Sequence, residues 1–176
     1  MAMKRSRGLL WVRLLVVCLV LIPYSWVAPV LAGMHQDVWQ GQVTYISDGD
    51  TLWVRPHQGS APRIVRLDGI DAPELCQVHG GSARTALTGL VLGQTVQVQV
   101  RGNDDYGRTL ARVIFQGQDI GAWMVDRGHA WSYRYRGQAG PYAKQESLAR
   151  ANRLGLFGQE RPEPPRDFRR RHGPCH

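Results

Sequence analysis

From Val38 onward the chain runs as short stretches of alternating apolar and polar residues, broken by glycine, proline and acidic turns. Val38 to Ile46 reads as a strand, and Thr51 to Arg55 as a second. Asp48-Gly49 between them is a tight-turn dipeptide. Pro56 to Pro62 has loop composition. Ile64 to Ile70 is a third strand, with Ile64, Arg66 and Asp68 on one face and Val65, Leu67 and Gly69 on the other. Asp71-Ala72-Pro73 ends it, because Pro73 lacks the N–H a ladder needs. Ser82 is the expected N-cap of a helix through Ala83, Ala86, Leu87, Leu90 and Val91, closed by Gly93. Thr95 to Val100 alternates strictly as a fourth strand, and Leu110 to Phe115 follows as a fifth after a turn at Asn103 to Gly107. A short helix is expected over Ile120 to Arg127, ending at Gly128. An extended aromatic stretch, Trp131 to Tyr135, precedes a last helix from Gly140-Pro141 to about Arg153.

Five short strands with a helix after the third make a β-rich α+β fold and fit a five-stranded Greek-key barrel of the OB type with about three helices, one choice among several β-rich folds open to this pattern. The 176 residues suffice for one domain with a real core. The formal charge of +8 is concentrated at the start, where Lys4, Arg5, Arg7 and Arg13 meet no acidic residue before Asp37. Without those four, 18 basic side chains face 14 acidic ones, a mild bias toward polyanions.

The expected organisation is a signal peptide over residues 1–32, a folded domain over 33–160 and a Pro/Arg-rich tail over 161–176. The basic start, the apolar stretch from Leu9 to Ile22 and Val30-Leu31-Ala32 as a cleavage site make up the three-part export layout. The rival is an uncleaved anchor, which needs about twenty apolar residues. Arg13 and Pro23 limit the uninterrupted run to Leu14 through Ile22. Cleavage would leave a secreted or periplasmic chain with no membrane segment and with two cysteines, Cys76 and Cys175. These either bridge, tying the tail beside the Asp71–Glu74 loop, or remain free thiols. The tail lacks the apolar content for a core and reads as mobile, solvated surface, with Arg169-Arg170-Arg171 as possible phosphate contacts.

The chemistry-bearing residues lie at strand ends. If the strands pair, Asp50 and Asp71 come together, with Glu74 a turn away and Arg66 on the strand leading in. Three carboxylates and a guanidinium suit a hard cation plus a phosphate. The plainer alternative is that acidic residues simply populate turns.

Asp-Gly-Asp-Thr at 48–51, Arg-Leu-Asp-Gly-Ile-Asp-Ala-Pro-Glu at 66–74 and Asp-Asp-Tyr-Gly-Arg-Thr-Leu at 104–110, in this order and spacing, resemble the staphylococcal nuclease family from about Gln42 to Gly158. The resemblance implies the same barrel and a calcium-dependent nuclease acting on DNA and RNA, mostly single-stranded, and leaving 3′-phosphate ends. It implies Asp50, Asp71 and the Ala72 carbonyl as Ca²⁺ ligands, with Asp48 as a neighbouring acid. It implies Glu74 as general base, and Arg66 and Arg108 as the arginines gripping the phosphate. Tyr106, Trp131, Tyr133 and Tyr135 are the candidate nucleic-acid contacts, by stacking. Substrate grip departs from the family pattern. Asp105 stands where the prototype has lysine, Leu75 to Gly80 is a short loop without lysine, and Tyr133 and Tyr135 come one residue early. A monomer without a stable protein partner is expected. The alternative is a catalytically silent OB-fold module that binds nucleic acid.

Overall fold

The computed structural model describes residues 37–59, 61–173 and 175; the expected signal segment, 1–32, lies outside them. Strands β1 (Val38–Ile46), β2 (Thr51–Pro56) and β3 (Arg63–Leu67) form an antiparallel meander. Strands β5 (Thr95–Asn103) and β6 (Thr109–Phe115) continue it from the other edge of β1. A parallel pairing of β3 with β6, Val65 opposite Thr109, closes the five strands into a barrel. The interior is filled by the apolar member of each alternation: Val43, Leu52, Val54, Val65, Leu67, Val96, Val98, Ala111 and Val113 are all buried.

Helix α1 (Gly80–Val91) places Ala83, Leu87 and Val91 on one face, against the barrel core. It begins two residues before the expected cap at Ser82. A tight turn leads straight into it: the Gln77 N–H donates to the Glu74 carbonyl and the Gly80 N–H to Gln77. His79 takes the cap position with φ 73° and no side-chain cap bond. Helix α2 (Ile120–Asp126), preceded by β7 (Gln118–Asp119), is capped by Asp119 and buries Ile120, Met124 and Val125.

The expected third strand is in fact two pieces. Gly69, with φ 79°, turns the chain out of the barrel, and Ile70–Asp71 (β4) pairs with Trp131–Ser132 (β8) instead. Helix α3 (Ala143–Ala151) then packs with a single 3₁₀ turn, Gly155–Gly158, to bury Trp131, Ala149, Leu156 and Phe157 as a second small core. The buried Glu146 joins these parts, accepting from the Ser132 N–H at 2.9 Å and from Arg150 Nε at 2.8 Å.

The tail also departs from expectation. Pro165–His172 is a helix, α4, with Pro165 at its first turn and arginines in its last, where cations favour the helix dipole. Cys76 and Cys175 are bridged across 99 residues of sequence. Closing so long a loop typically stabilises a fold by about 2–4 kcal/mol.

Beneath α1, His79 Nε2 lies 3.2 Å from His129 Nδ1, and the His129 ring stacks on Trp123. Burial, then the charges of His79 and Arg127, lowers His129 to about 4, and burial lowers His79 as well. Both rings therefore take up protons less readily in the fold than in the unfolded chain as pH falls below the ordinary value of about 6.5. Stability in urea should accordingly drop between pH 6.5 and pH 4. His129→Asn should flatten that part of the pH curve, and an unchanged slope would contradict a role for this half-buried pair.

Candidate active site at one end of the barrel

The start of β2, the ends of β3 and β4 and the β5–β6 turn meet at one end of the barrel around a cleft of about 500 Å³. Arg66 projects from β3 on the face opposite the buried Leu67, as the period of two requires. Its two terminal nitrogens reach Asp50 Oδ1 at 2.7 Å and Asp71 Oδ1 at 3.2 Å. Asp50 is almost fully enclosed: Oδ1 also accepts from Thr51 Oγ1 at 2.9 Å, and Oδ2 from the Ala72 N–H at 3.1 Å. Gly49 permits this closeness, since a Cβ there would stand 2.7 Å from the Ala72 Cβ. Its role is close approach rather than the left-handed turn geometry that Asp-Gly suggested.

The carboxylates outnumber their cations. Burial and the Asp50 charge push Asp48 up to about 7, and the same two causes raise Asp71 against the opposing pull of Arg169 and Arg66. For Arg66, burial acts to lower the pKa, but the charges of Asp50, Asp71 and Asp48 outweigh it and raise it. Crowded, buried, all-oxygen donors with unbalanced negative charge fit a hard divalent cation. Asp50, Asp71 and the Ala72 carbonyl are the residues that would hold one. Among the described residues no three acidic, histidine or cysteine side chains are preassembled around a common point, so the remaining ligands there would be water.

Glu74, in the turn before α1, lines the cleft with its backbone N–H held by Gln77 Oε1 at 3.1 Å. Arg108 enters from the β5–β6 turn. Asp104 organises that turn by accepting from the backbone N–H groups of Tyr106 and Arg108 and from Arg108 Nε at 2.7 Å. The terminal nitrogens of Arg108 have no hydrogen-bond acceptor among the described residues. Tyr106 is exposed beside it, with the Arg108 guanidinium 5.3 Å from its ring centre, and Tyr133 also lines the cleft.

The aromatic expectations divide. Tyr106 and Tyr133 border the cleft. Trp131 does not: it is buried edge-on against Phe157, because β8 turns its ring into the small core under α3. It is not available to stack on a base. Tyr135 is exposed with Arg136 over its ring and does not line the cleft.

Two residues that contact Glu74 escaped the sequence reading as individuals. Gln77 is buried and bridges the Glu74 backbone to the tail, donating from Nε2 to the Glu163 carbonyl at 2.6 Å. Arg169 of α4 places Nη1 2.6 Å from Glu74 Oε1 and 3.5 Å from Asp71 Oδ1. The arginine run was visible in the sequence, but only the bridge from Cys76 decides which member reaches the cleft.

Residues 64–159 match the family described as "Staphylococcal nuclease homologue". The chain belongs to this family. An uncharacterized endonuclease of Haemophilus influenzae is 38% identical over 129 residues, covering 73% of this chain and 72% of the relative. A micrococcal nuclease of Shigella flexneri is 38% identical over 143 residues, covering 75% and 81%. An uncharacterized endonuclease of Escherichia coli O157:H7 is 37% identical over 155 residues, covering 87% and 95%. The staphylococcal nuclease match includes Arg66, Asp71, Glu74 and Arg108 but stops before α4, so Arg169 is an addition to the matched domain.

Proposed function

We propose that this protein is an exported, Ca²⁺-dependent nuclease that hydrolyses phosphodiester bonds of DNA and RNA, preferring single strands and leaving 3′-phosphates. The observation that carries the reading is the convergence of Arg66, Arg108 and Glu74 with Asp50 and Asp71 on one cleft. Relatives named nucleases support it.

The residues divide the work by charge. Arg108, oriented through Nε by Asp104, offers its terminal nitrogens to a phosphate as charge-assisted donors. Arg66, locked between Asp50 and Asp71, supplies positive charge where negative charge gathers on the phosphoryl oxygens. Glu74 takes a proton from the attacking water as the oxygen–phosphorus bond forms and the 5′-oxygen departs. A bound cation would add Lewis-acid stabilisation of that charge. Tyr106 and Tyr133 flank the cleft as faces for bases, and such stacking is indifferent to sequence.

The Cys76–Cys175 bridge favours an oxidising compartment, in keeping with export through residues 1–32 as a cleaved signal. N-terminal sequencing of exported protein should begin near Gly33, and material still starting at Met1 would refute cleavage. Digestion of single-stranded DNA and RNA should be supported by Ca²⁺ and abolished by chelation, and Asp71→Asn should weaken both metal binding and turnover. Full cleavage in excess chelator, with metal content measured, would remove the cation from the reading.

Glu74→Gln should lower turnover by about 10²–10⁴ while leaving nucleic-acid binding intact or slightly tighter. Arg108→Ala should cost about 10²–10³ in turnover, the usual worth of one preorganised charge donor. Steady-state kinetics on variants shown to be folded decide both. A wild type that binds oligonucleotides but never cleaves them with Ca²⁺ would instead be the silent binding module.

A further inference from the structure

We propose that Arg169 is a third phosphate-binding residue of the cleft, presented to nucleic acid by a helix that the Cys76–Cys175 disulfide holds beside Glu74. The proposal deepens the nuclease reading and rests on it for the identity of the ligand.

The placement is over-determined. An exposed ion pair contributes about 0–1 kcal/mol, too little to dock a helix by itself. Here α4 is tied at both ends. Upstream, Gln77 Nε2 donates to the Glu163 carbonyl at 2.6 Å and Pro165 is buried. Downstream, Cys175 is bonded to Cys76, two residues from Glu74. Arg171 pairs with the Glu163 side chain and braces the helix on the segment that leads into it.

The chemistry points outward. Both carboxylate contacts of Arg169, to Glu74 and to Asp71, are made by Nη1 alone. Its Nε and Nη2 have no acceptor among the described residues, and the side chain keeps 39% of its surface exposed. One edge of the guanidinium therefore anchors it to the cleft while the other edge is the two-pronged donor that suits a phosphate. The cleft also needs the charge. Seven carboxylates line it against three arginines, and Arg66 is already committed to Asp50 and Asp71. Asp105 adds negative charge where a phosphate would pass. Arg169 offsets part of the repulsion that a polyanion entering this cleft meets.

The decisive experiment is binding of a fluorescent ten-residue oligothymidylate to the full chain in chelator, where no cleavage occurs, across a salt series. It is paired with kinetics in Ca²⁺. Arg169→Ala should weaken binding about five- to tenfold at 0.1 M salt and reduce the slope of log affinity against log salt by about 0.7, the value for one phosphate contact on a single strand. Arg169→Lys should keep the slope and lose part of the affinity, because lysine cannot bind bidentately. Wild type reduced at Cys76–Cys175 should behave like Arg169→Ala. In Ca²⁺ the alanine variant should raise KM more than it changes kcat. An unchanged slope and KM would overturn the proposal, and a rise in kcat would show instead that Arg169 plugs the site by pairing with Glu74. Should Arg169→Ala unfold, Arg169→Gln gives the same slope readout. If the wild type binds but never cleaves, the nuclease reading falls while the salt slope still decides Arg169. A wild type that neither binds nor cleaves removes both.

Discussion

Arg66 stands between two buried carboxylates, and the active end of the barrel is built on that contact. Asp50 comes from the start of β2, Arg66 from β3 and Asp71 from β4. The Asp50 backbone carbonyl also accepts from the Leu67 N–H, and its side chain from the Ala72 N–H. Removing a carboxylate from water is costly unless it is paired and hydrogen-bonded, so these segments are stable there only together. The break at Gly69 follows from this requirement. A strand continuing straight past Leu67 would alternate its side chains along the barrel wall. Turning out at Gly69 and pairing with β8 brings Asp71 and Ala72 back to the same guanidinium.

Concentrating acid at one point creates an electrostatic problem that the rest of the site addresses. Asp48 is pushed up to about 7 by burial and by the Asp50 charge, a sign that the cluster lacks positive charge. A divalent cation is one remedy, and Asp50, Asp71 and the Ala72 carbonyl have the chemistry to hold it. Arg169 is a second, brought from outside the family-matched region by a disulfide. The cleft thus draws charge both from the barrel end and from a helix that lies beyond the family-matched residues.

Most of the barrel was legible in the sequence because its signals are local. The strict alternation of Thr95 to Val100 and the apolar spacing of Ala83, Leu87 and Val91 each require one face to be buried, and the structure buries it. The same holds for Arg66 opposite Leu67. The elements that misled are those where a distant partner overrode a local preference. Ile64 to Ile70 looked continuous, yet Ile70 pairs with Ser132. Trp131 looked like a stacking platform, yet it fills the space against Phe157.

The sequence by itself determined the strand and helix faces, the acidic turns and the order of the site motifs, since periodicity, proline and glycine act over a few residues. Tertiary structure alone decided which aromatic rings reach the cleft and where β3 is broken. It also decided that Arg169, rather than its neighbours, meets Glu74. These depend on contacts between residues far apart in the chain, 95 positions in the case of Arg169 and Glu74. No local pattern encodes such a contact; it exists only once the barrel has closed and the Cys76–Cys175 bridge has fixed the path of the tail.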